Sequence, residues 1–237
     1  MRMLYVHKLF CVAVLSLTLP AQGNSLQTKV DVRMHILFPQ EQMKRHTPPA
    51  VLWLKPLQGT PVLPFPPRDN YTLVQKNRMF SPHLLIVPVG STVLFPNEDP
   101  FFHNVFSLFD GKRFDLGLYE AGSTKEVKFS REGVSYIFCN IHPEMSAVIL
   151  SLPTPLYAIA DSNGGFQLHD VPVGEYELHV WVEGTPQPAL DRLVRDIHLG
   201  SDTGDLGELN MSSIPQQPPT HLNKFGQPYD QDSKPTY

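Results

Sequence analysis

Val134-Ser-Tyr-Ile-Phe138-Cys139-Asn-Ile-His142-Pro-Glu-Met145 sets an apolar, strand-like run directly before a thiol, an imidazole and a thioether. The spacing is C-x2-H-x2-M. Soft sulfur donors beside an imidazole suit copper, and a weak thioether among few ligands marks an electron-transfer site. One short loop with three donors still lacks a second imidazole. His103, in Phe101-Phe-His103-Asn-Val-Phe106, is the candidate.

Outward from this loop the chain reads as strands. Tyr71–Val74, Leu84–Val87, Thr92–Phe95, Asn104–Leu108, Thr124–Phe129, Val134–Phe138 and Ser146–Leu152 are short apolar or alternating runs. Pro88-Val-Gly90, Asp110-Gly111, Ala121-Gly122 and Arg131-Glu-Gly133 separate them as turn signals. That spacing predicts a β-sandwich. A hairpin at residues 88–91 puts His83 opposite about residue 96, at the end that bears His103. His83 is therefore a candidate extra ligand, a polar neighbour of the ligands or a surface residue.

Residues 71–152 resemble the cupredoxins, with plastocyanin and amicyanin nearest. The resemblance lies in Phe80-Ser-Pro82 before Pro88-Val-Gly90-Ser-Thr-Val93, in Phe102-His103-Asn104-Val105, and in Cys139–Met145. Plastocyanins carry Pro before the first histidine, where this chain has Phe102. The resemblance implies a Greek-key β-sandwich holding one copper ion that cycles between Cu+ and Cu2+. His103 and His142 are then the imidazole ligands, Cys139 the thiolate and Met145 the weak axial ligand. Asn104 is expected to pin the Cys139 loop to the His103 strand, and Phe101, Phe102, Phe138 and Met145 to exclude water. Each residue alone has a plainer role, since a lone buried Cys is usually a small hydrophobe and a Met a core filler. Zinc also takes Cys and His, but the Met at the third loop position argues against it.

The flanks predict a second β-unit. Val30–Phe38 alternates, and Ala50-Val-Leu-Trp-Leu54 is apolar on both faces, so it is expected to be covered on both. Pro56–Arg68 carries five prolines and reads as a linker or wrapping loop. Beyond Pro155, strands at Leu156–Ala160, Phe166–Leu168, Glu175–Glu183 and Leu193–Leu199 are separated by turns at Asp161–Gly165 and Asp170–Gly174. Ile159-Ala-Asp161-Ser-Asn-Gly-Gly165-Phe166 and Asp170-Val-Pro-Val-Gly174-Glu-Tyr176-Glu-Leu178 resemble the carboxypeptidase regulatory-like domain, a transthyretin-like β-sandwich. Its missing first strands are expected in residues 28–57, so the 70–152 sandwich is an insertion into a discontinuous outer domain completed by 153–208. Residues 209–237 are polar and Pro-rich and read as a disordered tail. The whole chain resembles exported cupredoxin-domain proteins described as methylamine utilization protein or plastocyanin-like.

Residues 1–23 read as a signal peptide: Arg2, His7 and Lys8, an 11-residue apolar core Leu9–Leu19, then Ala21-Gln-Gly23. The apolar run is too short to span a bilayer, and no second one follows, so a secreted or periplasmic chain cleaved near Gly23 is expected, with no transmembrane segment. Of 19 basic residues, Arg2 and Lys8 leave with the signal, so 17 face 23 acidic ones. The mature chain has no basic stripe, which argues against nucleic-acid binding. Cys11 also leaves, so Cys139 is the lone exported cysteine: an intermolecular link, a free thiol or a metal ligand. His142 and Met145 favour the last. There is no His-x-His pair for a multicopper cluster, no H-E-x-x-H and no G-x-S-x-G. The expectation is an electron carrier, not an enzyme, with a protein redox partner. The alternative is a copper storage, sensory or scaffold protein that docks through its outer sandwich.

Overall fold

A computed structural model describes residues 28–38, 47–108, 111–211 and 222–229. The signal-peptide expectation lies outside these residues. The chain is almost entirely β, with a two-sheet sandwich and further sheets around it. No helix among the described residues is long and apolar enough to cross a membrane.

In chain order the strands are β1 (Lys29–Leu37), β2 (Ala50–Pro56), β3 (Tyr71–Thr72), β4 (Val74–Lys76), β5 (Met79–Ser81), β6 (Leu84–Pro88), β7 (Thr92–Pro96) and β8 (His103–Ser107). Then follow β9 (Phe114–Tyr119), β10 (Thr124–Lys128), β11 (Gly133–Cys139), β12 (Ser146–Leu152), β13 (Tyr157–Ile159), β14 (Gly165–Pro172) and β15 (Gly174–Val182). A short helix α1 (Gln187–Asp191), β16 (Arg195–Leu199) and β17 (Asp205–Asn210) complete the described elements.

Two sheets frame the metal end. One has the order β6-β12-β11-β8-β9, the other β10-β7-β3, with the β4-β5 hairpin beside them. Their shared core holds Leu73, Val93, Phe95, Val105, Ile137, Cys139, Met145, Ala147 and Ile149. The remaining sheets, β14-β1-β17 and β13-β2-β15-β16, enclose a second core. β1 pairs with β14 and β17, and β2 pairs with β13 and β15. The chain therefore leaves this outer pair of sheets after β2 and rejoins it at β13.

The five-stranded sheet serves both cores. Side chains alternate across a strand, so Ala147 and Ile149 of β12 face the metal-end core while Val148, Leu150 and Leu152 join the outer one. Across the junction Trp181 Nε1 donates to Tyr136 Oη (3.3 Å), and Lys55 pairs with Glu132 (3.3 Å). β2 is buried throughout Ala50–Leu54 because both of its faces are covered, as its two-sided apolar sequence predicts.

Several expectations are corrected. Residues 88–91 are not a hairpin turn: β6 and β7 lie in different sheets, and the chain arches between them at Gly90 (φ 93°), whose N–H donates to Phe129 O. The turn expected at Asp170–Gly174 begins later, since β14 runs to Pro172. β9 and β17 have no counterpart among the strands expected from the sequence. Each contains a glycine at positive φ, Gly117 or Gly207, and each sits at a sheet edge with mixed polarity, where the alternating pattern is weak. The tail is not uniformly disordered. β17 extends through Asn210 by pairing with β1, and residues 222–229 pack on the metal end. Residues 212–221 and 230–237 of the expected tail lie outside the described residues.

Candidate metal centre

β8, β11 and the loop into β12 bring three donors together. Cys139 is the last residue of β11, paired with Val105 of β8, and His103 opens β8. The loop closes on itself: Met145 N–H donates to His142 O (3.0 Å), and Cys139 N–H to Met145 O (3.3 Å). Both sequence-distant histidines thus reach one point. Nδ1 of His103 and Nδ1 of His142 are 3.2 Å apart, and each is 3.6 Å from Cys139 Sγ. His103 and Cys139 are fully buried, and His142 nearly so. Among the described residues, this is the one group of three or more His, Cys, Asp or Glu able to hold a metal.

The donors fit a metal such as copper. Nitrogen bound at about 2.0 Å and thiolate sulfur at about 2.3 Å to a common ion stand roughly 3–4 Å from one another, which is where these atoms already are. Two imidazoles with a thiolate is a soft donor set that suits copper. Met145 is fully buried in the same core as Cys139, on the same loop. An ion here would be held by His103, Cys139 and His142.

The titration states are consistent with this. Burial lowers the His103 pKa despite the upward pull of Asp99, so the ring is neutral near pH 7. Its Nε2–H donates to Asp99 Oδ2 (2.9 Å), which leaves the Nδ1 lone pair toward the cluster. Burial also lowers His142, with repulsion from His103 adding to it. For Cys139 burial raises the thiol pKa, although the backbone amides of Asn104, Ile141 and His142 favour the thiolate. Without a metal this residue is a thiol, and metal binding must displace its proton.

Asp99 and Asn97 carry roles that the sequence did not reveal. Burial opposes ionisation of Asp99, but the Arg78 and Asn77 amides and the His103 ring together hold its carboxyl below the usual range. Those amides donate at 3.0 and 2.6 Å from the β4–β5 turn, where Asn77 and Arg78 both have positive φ. Asn97 accepts from the Asp99 amide (3.1 Å) and donates to Phe101 O (2.8 Å), folding the loop that presents Asp99 to His103. A carboxylate behind a ligating histidine fixes its tautomer and orientation. The only sequence cue was the Asp99…His103 spacing of four.

Other expected neighbours are placed differently. His83 is not in the cluster: its Nε2 meets Glu183 Oε1 (2.7 Å) and its Nδ1 meets Ser146 O (3.2 Å). It ties the metal-end sandwich to the turn that follows β15. Asn104 does pin the loop, but through its backbone, since Asn140 N–H donates to Asn104 O (3.0 Å). Its side chain donates to Asp115 Oδ1 (2.6 Å) instead. Phe101 packs on both cluster histidines, with centroids 5.3 and 5.6 Å away. Phe102 is exposed, and Phe138 pairs with Phe106 (5.9 Å) on the opposite face of the sheet from Cys139. Neither screens the cluster.

No family model matches the chain, and no curated protein does. The solved structures similar to part of it include cupredoxins. A purple cupredoxin from Nitrosopumilus maritimus is 26% identical over 35% of this chain and 100% of its own, with a TM-score of 0.32. A reduced point mutant of amicyanin is 19% identical over 34% of this chain and 80% of its own, at 0.33. A Cu-containing nitrite reductase from Thermus scotoductus SA-01 is 22% identical over 50% of this chain and 28% of its own, at 0.34.

Proposed function

We propose that this chain is an exported type 1 copper protein that carries single electrons between protein partners. One observation carries the proposal: a fully buried thiol with two imidazole nitrogens at 3.6 Å, the nitrogens 3.2 Å apart. Copper bound there supplies a one-electron Cu+/Cu2+ couple. The protein's part is to hold the donors still. Cys139 and His103 sit on paired strands, the loop between Cys139 and Met145 is closed by its own backbone, and Asp99 fixes the His103 ring. Met145, Phe101 and the surrounding core keep water away from the donors. Such a site changes charge with little rearrangement, which suits a carrier rather than an enzyme.

The outer sandwich is proposed to be a carboxypeptidase regulatory-like domain. Its role is to fix the carrier to a partner or surface outside the cytoplasm. Storage or sensing of copper is distinguished electrochemically. The carrier function predicts a reversible one-electron wave from the copper-loaded protein, with copper retained against a chelator through many cycles. Ready transfer of copper to the chelator without a reversible wave contradicts it.

A further inference from the structure

We infer that residues 222–229 form a clamp that positions the ligand loop, with contacts from Tyr229 and Lys224. The inference rests on the copper reading for its redox consequence, but the clamp itself is a feature of the chain alone.

Cys139 ends β11, so its carbonyl falls where the ladder gives way to the loop. Tyr229 Oη donates to that carbonyl at 2.9 Å. The next residue, Asn140, offers its side-chain oxygen to the Lys224 amide, also at 2.9 Å. Lys224 Nζ then reaches Asp115 Oδ2 (2.8 Å), and Asp115 Oδ1 accepts from the side chain of Asn104, the residue after His103. One short segment therefore touches the thiol-bearing residue, its neighbour on the loop, and through Asp115 the strand that carries His103.

The segment is itself ordered for this task. Asn223 Oδ1 accepts from the amides of Phe225 and Gln227, at 2.9 and 3.0 Å. Asn223 N–H donates to Gln227 O (2.8 Å), and Gly226 N–H to Asn223 O (2.9 Å). Gly226 adopts φ 74°, which a residue with a side chain reaches only with strain. This closed turn presents Lys224 to Asn140 and leads directly to Tyr229 on the adjacent Cys139, so docking it orders few additional torsions. A ligand loop held in this way resists the opening that metal loss requires.

The test uses the full-length protein in wild-type form and as Tyr229→Phe, Lys224→Met, Lys224→Arg and Gly226→Ala. Copper loading is checked by the visible thiolate band. Release of Cu+ to a chelator and backbone amide exchange of Asn140, His142 and Met145 in metal-free protein are then measured. Tyr229→Phe removes only a hydroxyl and is expected to speed release and loop exchange about fivefold, the factor for one net hydrogen bond. Lys224→Met is expected to do the same, and Lys224→Arg, which keeps the charge facing Asp115, to stay close to wild type. Gly226→Ala should loosen the loop although it touches no loop residue. Unchanged release and unchanged exchange in Tyr229→Phe, Lys224→Met and Gly226→Ala, with the band intact, overturn the clamp. Absence of the band in wild type overturns the copper reading instead, and the metal-free exchange still decides the clamp.

Discussion

Ile149 and Leu150 are neighbours on β12, both with 0% exposure, yet they belong to different cores. Ile149 faces the compartment that holds Cys139 and Met145. Leu150 faces the outer sandwich, with Ile86, Val148 and Leu152. One sheet is thus the wall of two compartments, and its strand β12 is apolar on both sides for two separate reasons. The metal-end sandwich is not a free-standing unit joined by a linker, because its sheet contributes side chains to the core of the outer sheets as well.

The largest effect that separates the two faces is cavity formation. Leu150→Ala is expected to cost about 2–5 kcal/mol of stability while leaving the donor atoms and their spectrum unchanged. Ile149→Ala should cost a similar amount and also alter the metal site, because it opens the core beside Met145. Urea unfolding of both variants, with spectra of the loaded proteins, checks this. Equal spectral change in the two contradicts the division.

Next comes the support behind His103. Asp99→Ala leaves the buried Nε2–H without its acceptor and the ring free to turn. Copper affinity is expected to fall roughly 10–100-fold, as for removal of a group that orients a metal-ligating histidine. Competition against a calibrated chelator measures it. An unchanged affinity would show that the Asn97–His103 loop alone holds the ring.

The smallest expected effect lies at the junction. Its Glu183 partner raises the pKa of His83 above the ordinary imidazole value, against the opposing effect of burial. A raised folded-state pKa means the contact stabilises fully below the unfolded value, about 6.5, and is lost as pH rises through the folded one. The stability advantage of wild type over His83→Gln should therefore be greatest in acid and shrink with increasing pH. His83 is half-exposed, so the effect is small. A difference independent of pH would remove the ion pair from the junction.

The same contrast explains what could be read from the chain alone. His103, Cys139 and His142 were legible because metal chemistry restricts residue type and spacing, and because the lone cysteine follows a strand-like run. β12 was legible to the residue, since the apolar run Ala147–Leu150, flanked by Ser146 and Ser151 and stopped at Pro153, needs no knowledge of what covers it. Which core each β12 side chain joins was not, because alternation is invisible when both faces are apolar. Asp99 was missed because a carboxylate in a loop looks solvated until the Asn77 and Arg78 amides are placed against it. Residues 222–229 looked like an unstructured tail because the groups that Tyr229 and Lys224 bond at the metal end, Cys139 O, Asn140 Oδ1 and Asp115, lie about 100 residues away.

The proposed thiolate copper centre of Cys139, His103 and His142 has a direct spectroscopic signature. Purified protein loaded with one equivalent of Cu2+ should show an intense thiolate-to-copper band in the visible, with narrow copper hyperfine splitting in electron paramagnetic resonance. Cys139→Ser should abolish the band completely while the folded β-signature persists. A band of undiminished intensity in Cys139→Ser would contradict the account.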